Sequence, residues 1–491
     1  ILNSIASVPG FLTFGVPKAQ TKNFVPRIGF AYSPGTDGKT SIRAGFGMAY
    51  DVLFDNIGIL SLPPQLSTTA DVTNITGTPI NSNFLANGGI KPNTTVSSAL
   101  TAAQARANTA AYVPDQKLPY SIQWNLGVQH VFANNYTFEA RYLGTRGIHL
   151  NVQTRINKRT VVTPTNSLPT YLSQPSEATL NSLPLTLNGP GGLASISNIV
   201  PAFAANGFTN GAFVVDAPIG WSTYHGLALQ LNRRFSNGLQ FQSAYTWSHL
   251  IDNSTADFFT TYLTPRRPQD FQNLSADRST SALDRRHRFT FAAYYESSWF
   301  NHSNWVAKNL LGNWTFSPIY TYESPEYATV QSATDSNLNG DSAADRTIIN
   351  PAGQDGTGSG VKALTNAAGY TVAYLATNPN ARYIKAGSGA FANGGRNTLP
   401  GRPIDNVDLN LLKNFSYGER YKLQFAGTLF NLFNHAQFIP GFPGRVDNPN
   451  VLNTGGAIRN YLTPGNAHFN DPEYVFSSNP RNIQVSVKLI F

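Results

Sequence analysis

The 491-residue chain contains no cysteine, so it has neither a disulfide framework nor a thiolate metal site. Charge is scarce: Asp, Glu, Lys and Arg together make up 12% of residues, against about 25% in ordinary soluble proteins. No run of 18 apolar residues occurs, which excludes a membrane-spanning helix. Residues 1–16 lack the basic start and continuous apolar core of a signal peptide. The net charge of +9 comes from scattered Lys and Arg with no dense basic run, so nucleic acid is not an expected partner. The 8 histidines show no HExxH or His-plus-carboxylate spacing. Ser248, His249 and Asp252 sit too close together at one strand end for a catalytic triad, and no nucleophile elbow surrounds the serine. No enzyme chemistry is expected.

What the chain does have is aromatics and alternation. Phe, Trp and Tyr reach 12%, with 31 Phe and 22 Tyr. The clearest stretch is 224–249, YHGLALQLNRRFSNGLQFQSAYTWSH. Leu227, Leu229, Leu231 and Phe235 share one face of a first strand, and Gln230, Asn232 and Arg234 the other. After the turn Ser236-Asn237-Gly238, Leu239, Phe241, Tyr245 and Trp247 alternate with Gln240, Gln242, Ala244 and Thr246. Asn-Gly supplies the positive φ of a tight hairpin. The strands are about twice the usual length of ~5–6 residues. A tilted strand crossing a bilayer needs that length, about 9–11 residues.

The same unit recurs along the chain. Strands are predicted at 27–33, 40–51, 118–132, 136–150, 224–235, 239–249, 284–297, 313–332, 406–414, 421–434 and 482–491. Pro318 falls in mid-strand, a position tolerated at an edge or a bulge. The connections alternate strictly. Links at 34–39, 133–135, 236–238, 298–312 and 415–420 are short; those at 52–117, 151–221, 253–283, 333–405 and 435–481 are long and rich in polar residues. Sorting short turns to one side and long loops to the other is the signature of an outer-membrane barrel. A soluble sandwich or propeller has no reason to do so. The fold class expected is therefore all-β, an antiparallel transmembrane β-barrel portion of about eleven strands at 24–491, with short periplasmic turns and long extracellular loops. Residues 1–23 read as an irregular N-terminal segment. The apolar stripe would face outer-membrane lipid, with Tyr120, Trp124, Tyr245, Trp247, Trp314 and Tyr322 in interfacial girdles.

Four stretches carry a resemblance: NGLQFQSAYTWSHLIDN, LDRRHRFTFAAYYE, GRNTLPGRPIDNVDLNLLKNF and LQFAGTLFNLFNHAQF. They resemble the barrel of TonB-dependent outer-membrane receptors of the Oar-like subgroup, and the likeness covers most of the chain from about residue 24 onward. It implies a receptor that binds a ligand at the cell surface and passes it inward, coupled to the TonB complex. It also implies that the final aromatic, Phe491, signals to the barrel-assembly machinery. Such receptors carry a regulatory domain, a TonB box and a plug ahead of the barrel, and none of these is read here. The rival is a structural or adhesive barrel that holds a surface partner with its loops; a passive porin is a third reading. Counting strand directions back from a periplasmic end places the entry to 27–33 on the outer side. Eleven is odd where single-chain barrels have even numbers. An incomplete, open wall is expected, with further strands and the plug upstream.

One motif stands above the polar loops. Asp335, Asn337 and Asn339 occupy alternate positions, followed by Gly340 and Asp341, as in the first half of a calcium loop. Arg346 holds the twelfth position, where a glutamate would sit, and Asp345 precedes it. The loop is expected either to hold Ca2+ through Asp335, Asn337, Asn339, Asp341 and Asp345 or to be an Asx-rich turn. No other cofactor is required. Arg285, Arg286 and Arg288 either meet lipid headgroups or are interior charges paired with carboxylates such as Asp284.

Overall fold

The structure is a computed structural model that describes residues 5–14, 20–51, 101–112, 117–133, 135–209, 211–255, 263–343, 345–417, 421–438, 455–475 and 480–491. Eleven strands, each paired with the next in sequence, form the path of one sheet, and two two-residue strands, Ala111–Tyr112 and Ser279–Thr280, pair onto it. The eleven are β1 (Arg27–Tyr32), β2 (Thr40–Tyr50), β3 (Tyr120–Phe132), β4 (Tyr136–Arg155), β5 (Val214–Ser236), β6 (Leu239–Asp252), β7 (His287–Glu296), β8 (Trp314–Glu323), β9 (Ile404–Tyr417), β10 (Tyr421–Phe430) and β11 (Asn482–Ile490). All ten ladders along this path are antiparallel. Among the described residues β1 and β11 do not pair with each other, so the wall is open and each end strand has a neighbour on one side only. Most of the 52–117 connection and the turn residue Asn134 lie outside the described residues.

The register sorts the side chains by face, because directly paired residues in an antiparallel ladder lie on the same side. Leu126, Tyr142, Leu227 and Trp247 form one cross-strand row. Pro318, Leu409, Leu429 and Ile483 form another on the same face. The opposite face carries Arg43, Gly127, Arg141, Ala228, Thr246, Arg288 and Glu323 in one row. The apolar face is exposed: Phe30, Phe46, Leu126, Phe138, Leu227, Phe425, Val485 and Val487 all contact no second layer. Aromatic partners ride along this face, with Trp124 against His225 and Tyr142 donating to or accepting from His225 Nδ1 at 2.7 Å. A Cβ at Gly144 would collide with the indole of Trp124, so the cross-strand partner of that Trp must be glycine. Gly238, at φ +78°, closes the β5–β6 hairpin after Asn237 at φ +50°.

Pro318 sits on neither an edge nor a bulge. It stays in register with Leu409 of β9, while the ladder to β7 is interrupted opposite it. The missing amide hydrogen is taken from one neighbour only. The wall strands also end differently from their sequence limits. β8 stops at Glu323 rather than continuing to 332, because Ser324-Pro325 leaves the ladder. β4 and β5 overrun 150 and 224, reaching 20 and 23 residues through register shifts at Ile148, Leu150 and Val152.

On the long-connection side the described parts of the loops fold together into a cap. Its apolar clusters draw on several connections at once. Leu263, Val330, Tyr383, Leu399, Leu462 and Val475 make one; Leu168, Leu193, Tyr374, Ala386 and Ala390 make another. Residues 5–14 belong to the cap too, with Ala6 and Phe14 packed on Phe208, Phe213 and Val215. On the short-turn side, the 297–313 connection carries a helix, Trp305–Leu311, whose Asn304 side chain caps Ala307 N at 2.8 Å. Trp299 of this connection packs its ring 5.9 Å from Phe316, extending the apolar face of the wall.

Candidate functional site

The cap holds a cleft of about 780 Å3 walled by Tyr327, Asp355, Arg382, Tyr383, Arg402 and Asn470, among others. The strand at 381–384 presents Arg382, whose Nη1 donates to the carbonyl of Pro351 at 3.0 Å and whose Nε lies 3.7 Å from Asp355. Tyr383 donates its hydroxyl to Thr398 O at 2.8 Å, and burial raises its pKa. Arg402 is exposed at the mouth. The cleft thus offers two guanidinium groups, two tyrosines and amide donors to a polar ligand. Sequence reading missed these residues, since they come from three parts of polar loops with no periodicity to mark them.

Behind the cleft, buried ion pairs tie the loops to the wall. Arg396 is buried and donates to Asp277 O and Thr255 Oγ1 while pairing with Asp252 at the end of β6. Arg346 is likewise buried, 2.7 Å from Asp277. Ser248, His249 and Asp252 are not brought into a catalytic relation: Ser248 Oγ donates to Arg285 O, and His249 meets Thr280. Arg285, Arg286 and Arg288 pair with Glu326, Asp284 and Glu323 respectively, and Arg288 is exposed.

The 335–345 loop lies against Gln269 and β4. Asp335 accepts from Asn339 N at 3.0 Å and Gly340 N at 2.8 Å; Asn337 Oδ1 accepts from Asn339 N at 2.9 Å; Asn339 Oδ1 accepts from Asp341 N at 2.8 Å. Gly340, at φ +86°, turns the chain. Asp341 points its carboxylate away to Arg267 and Arg155. Burial would raise Asp341, but the bond and charge of Arg267 hold its pKa down. Asp345 is pushed up to about 7 by burial, against the lowering effect of its backbone hydrogen bonds and with the charge of Asp335 adding to the rise. Among the described residues no three His, Cys, Asp or Glu side chains are grouped to hold a metal; besides Asp341 the loop's oxygen-bearing side chains at these positions are two carboxylates, Asp335 and Asp345, and two amides, Asn337 and Asn339. Phe491 follows β11 and is exposed.

Residues 5–484 match the model of a family described as outer membrane beta barrel domain. The chain belongs to that family. It is an integral outer-membrane protein. No curated protein matches the chain. Among solved structures it is similar to the outer-membrane transporter YddB of Escherichia coli, at 8% identity and a TM-score of 0.42, over 95% of this chain and 40% of that one. The ferripyoverdine receptor of the outer membrane of Pseudomonas aeruginosa gives 10% identity and a TM-score of 0.38, over 96% and 33%. The siderophore receptor PiuA of Acinetobacter baumannii gives 9% and 0.39, over 94% and 35%. The chain spans well under half the length of these proteins.

Proposed function

We propose that the chain is the barrel portion of a TonB-dependent receptor of the Oar-like kind, which binds a ligand in the cap and passes it inward. The observation that carries this reading is the cap itself. Connections that a porin would leave as separate loops are fused into one folded layer, with an arginine- and tyrosine-lined cleft above a polar wall face. The cap faces the cell exterior and the short turns face the periplasm, as the alternation of connection lengths requires. The apolar wall face meets lipid, and the TonB complex is the partner on the inner side. Ligand specificity belongs to Arg382, Arg402 and the tyrosines around them.

The full-length receptor purified in detergent should bind the isolated periplasmic domain of TonB. An adhesin or a porin would not, and absence of binding overturns the receptor reading. Sidedness is checked separately. Protease added to intact cells should cut within the long connections and spare the turn at Asn237; the reverse pattern would invert the topology.

A further inference from the structure

We propose that the 335–345 loop is a Ca2+ site, with side-chain oxygens from Asp335, Asn337, Asn339 and Asp345 as donors and the Asp341 carbonyl completing the set. This goes beyond the receptor reading and does not depend on it.

The donors are all hard oxygens at the spacing a calcium loop uses in its first half. Two features outside the loop's own turns point to an ion. The first is orientation. Asn337 Nδ2 and Asn339 Nδ2 both donate to one acceptor, the carbonyl of Gln269, at 2.7 and 3.0 Å. Both amides are thereby fixed with nitrogen toward Gln269 and oxygen toward the loop. Each of those oxygens accepts a single backbone hydrogen bond and keeps a second lone pair.

The second feature is Asp345. Its residue exposure is 0%. One carboxylate oxygen is held by Ser336 N, by Ser336 Oγ at 3.0 Å and by Asn337 N at 3.2 Å, which fixes the group at the loop's first turn. The other oxygen, Oδ1, is buried with no hydrogen-bond partner among the described residues. Leaving a buried acceptor unmade is costly, and more so for a carboxylate. Among the described residues no cation pairs directly with Asp345: Arg267 and Arg155 pair with Asp341, Arg346 pairs with Asp277 while its charge also acts on Asp345, and Lys158, whose charge reaches Asp335, donates to Asn198 Oδ1. A divalent cation held between Asp335 and Asp345 satisfies the free oxygen and cancels the repulsion between the two carboxylates. Asp341, at the seventh position, needs only its main-chain oxygen for this, so its side-chain pairing with Arg267 does not compete.

The site would also lock the cap. Val161 N and Val162 N both donate to Asn337 O, Gly389 N of the loop's own connection donates to Ser336 O, and Gln269 O accepts from Asn337 and Asn339, so three connections meet on this loop. Ca2+ binding would therefore order 156–213 and 386–390 together with 335–345.

The test uses the full-length protein in detergent, stripped with EGTA and titrated with CaCl2 by calorimetry. One Ca2+ per chain is expected, with Kd in the range of about 10⁻⁴–10⁻³ M typical of extracellular modules. Asp345→Asn keeps the shape and hydrogen bonds of a neutral acid while removing the charge. It should weaken Ca2+ at least tenfold, as should Asp335→Asn. No binding up to about 10 mM, or an affinity unchanged in both variants, overturns the proposal and leaves Asp345 as a protonated structural acid. Should the variants fail to fold, the wild type decides: trypsin cleavage of the cap in EGTA should slow at least tenfold with Ca2+ and not with Mg2+. Equal cleavage in EGTA and Ca2+ overturns it too.

Discussion

Leu126 in the wall is 53% exposed and Leu168 in the cap is 2% exposed. The same side chain faces opposite surroundings in the two regions. Across the described wall strands the buried apolar residues are Val152, Val215 and Ala217, all at the cap ends of β4 and β5. The wall needs no second layer, because hydrocarbon serves as its apolar partner and the ladders satisfy the backbone. The cap meets water, so it must bury its own apolar groups, and it does so by recruiting residues from several connections into shared clusters. A chain of low charge density can thus contain two parts stabilised on different terms.

If the two parts are stabilised separately, they should break separately. The largest effect is expected at Arg396, which is buried and joins Asp252, Thr255 and Asp277. Arg396→Ala leaves the Asp252 carboxylate buried and uncompensated, a loss of about 3–5 kcal/mol. Limited proteolysis should then open the cap, while the wall keeps its resistance to heat and detergent on a gel. Loss of both together would show that the wall depends on the cap and erase the distinction.

The wall offers the next contrast, between its own two faces. Leu126 and Asn125 are neighbours on β3 that point to opposite sides. Leu126→Arg places a charge in lipid and should cost about 2–4 kcal/mol near mid-wall. Asn125→Arg adds the same charge to the polar face beside Glu139 and Arg141, where a cost within about 0.5 kcal/mol is expected. Urea titration of the two variants refolded into liposomes measures both. Equal losses would mean that the apolar face does not meet hydrocarbon.

How much of this was legible in the sequence follows the same division. Each of the eleven wall strands shows in the sequence because one face meets lipid and the other does not, which writes a period of two. The alternation fails where β4 and β5 rise into the cap: 214–217 is VVDA, with Val215, Asp216 and Ala217 all buried. Neither strand's length was readable for that reason. The cap was read as polar loops. Arg396 and Asp252 are 144 residues apart, and no local pattern links them. The oxygen side chains of the proposed Ca2+ loop at 335–345 were legible because such a motif is defined by spacing within a dozen residues. The roles of Gln269 and of the buried Asp345 oxygen were not, since both depend on packing.

The smallest effect is expected where wall and membrane surface meet. The Trp305–Leu311 helix exposes Trp305 by 59% and Leu310 by 61%, with Val306 and Leu311 also exposed. Water would be a poor neighbour for four such side chains on seven residues. The helix continues the apolar wall face: Trp299 packs on Phe316 and Tyr295, and Trp305 Nε1 donates to Ser416 O at 3.2 Å, tying the helix to the end of β9. A short helix with exposed apolar side chains in that position is expected to lie in the headgroup region of the inner leaflet. The lack of cysteine makes this simple to test, because Leu310→Cys creates a single labelling site in these 491 residues. An environment-sensitive dye there should report an apolar setting in liposomes, and the same dye at Asn237→Cys a wet one. Removing the contact with Trp305→Ala should cost about 1 kcal/mol or less. A wet spectrum at position 310 would place the helix in the periplasm and end the membrane-facing wall at Phe316.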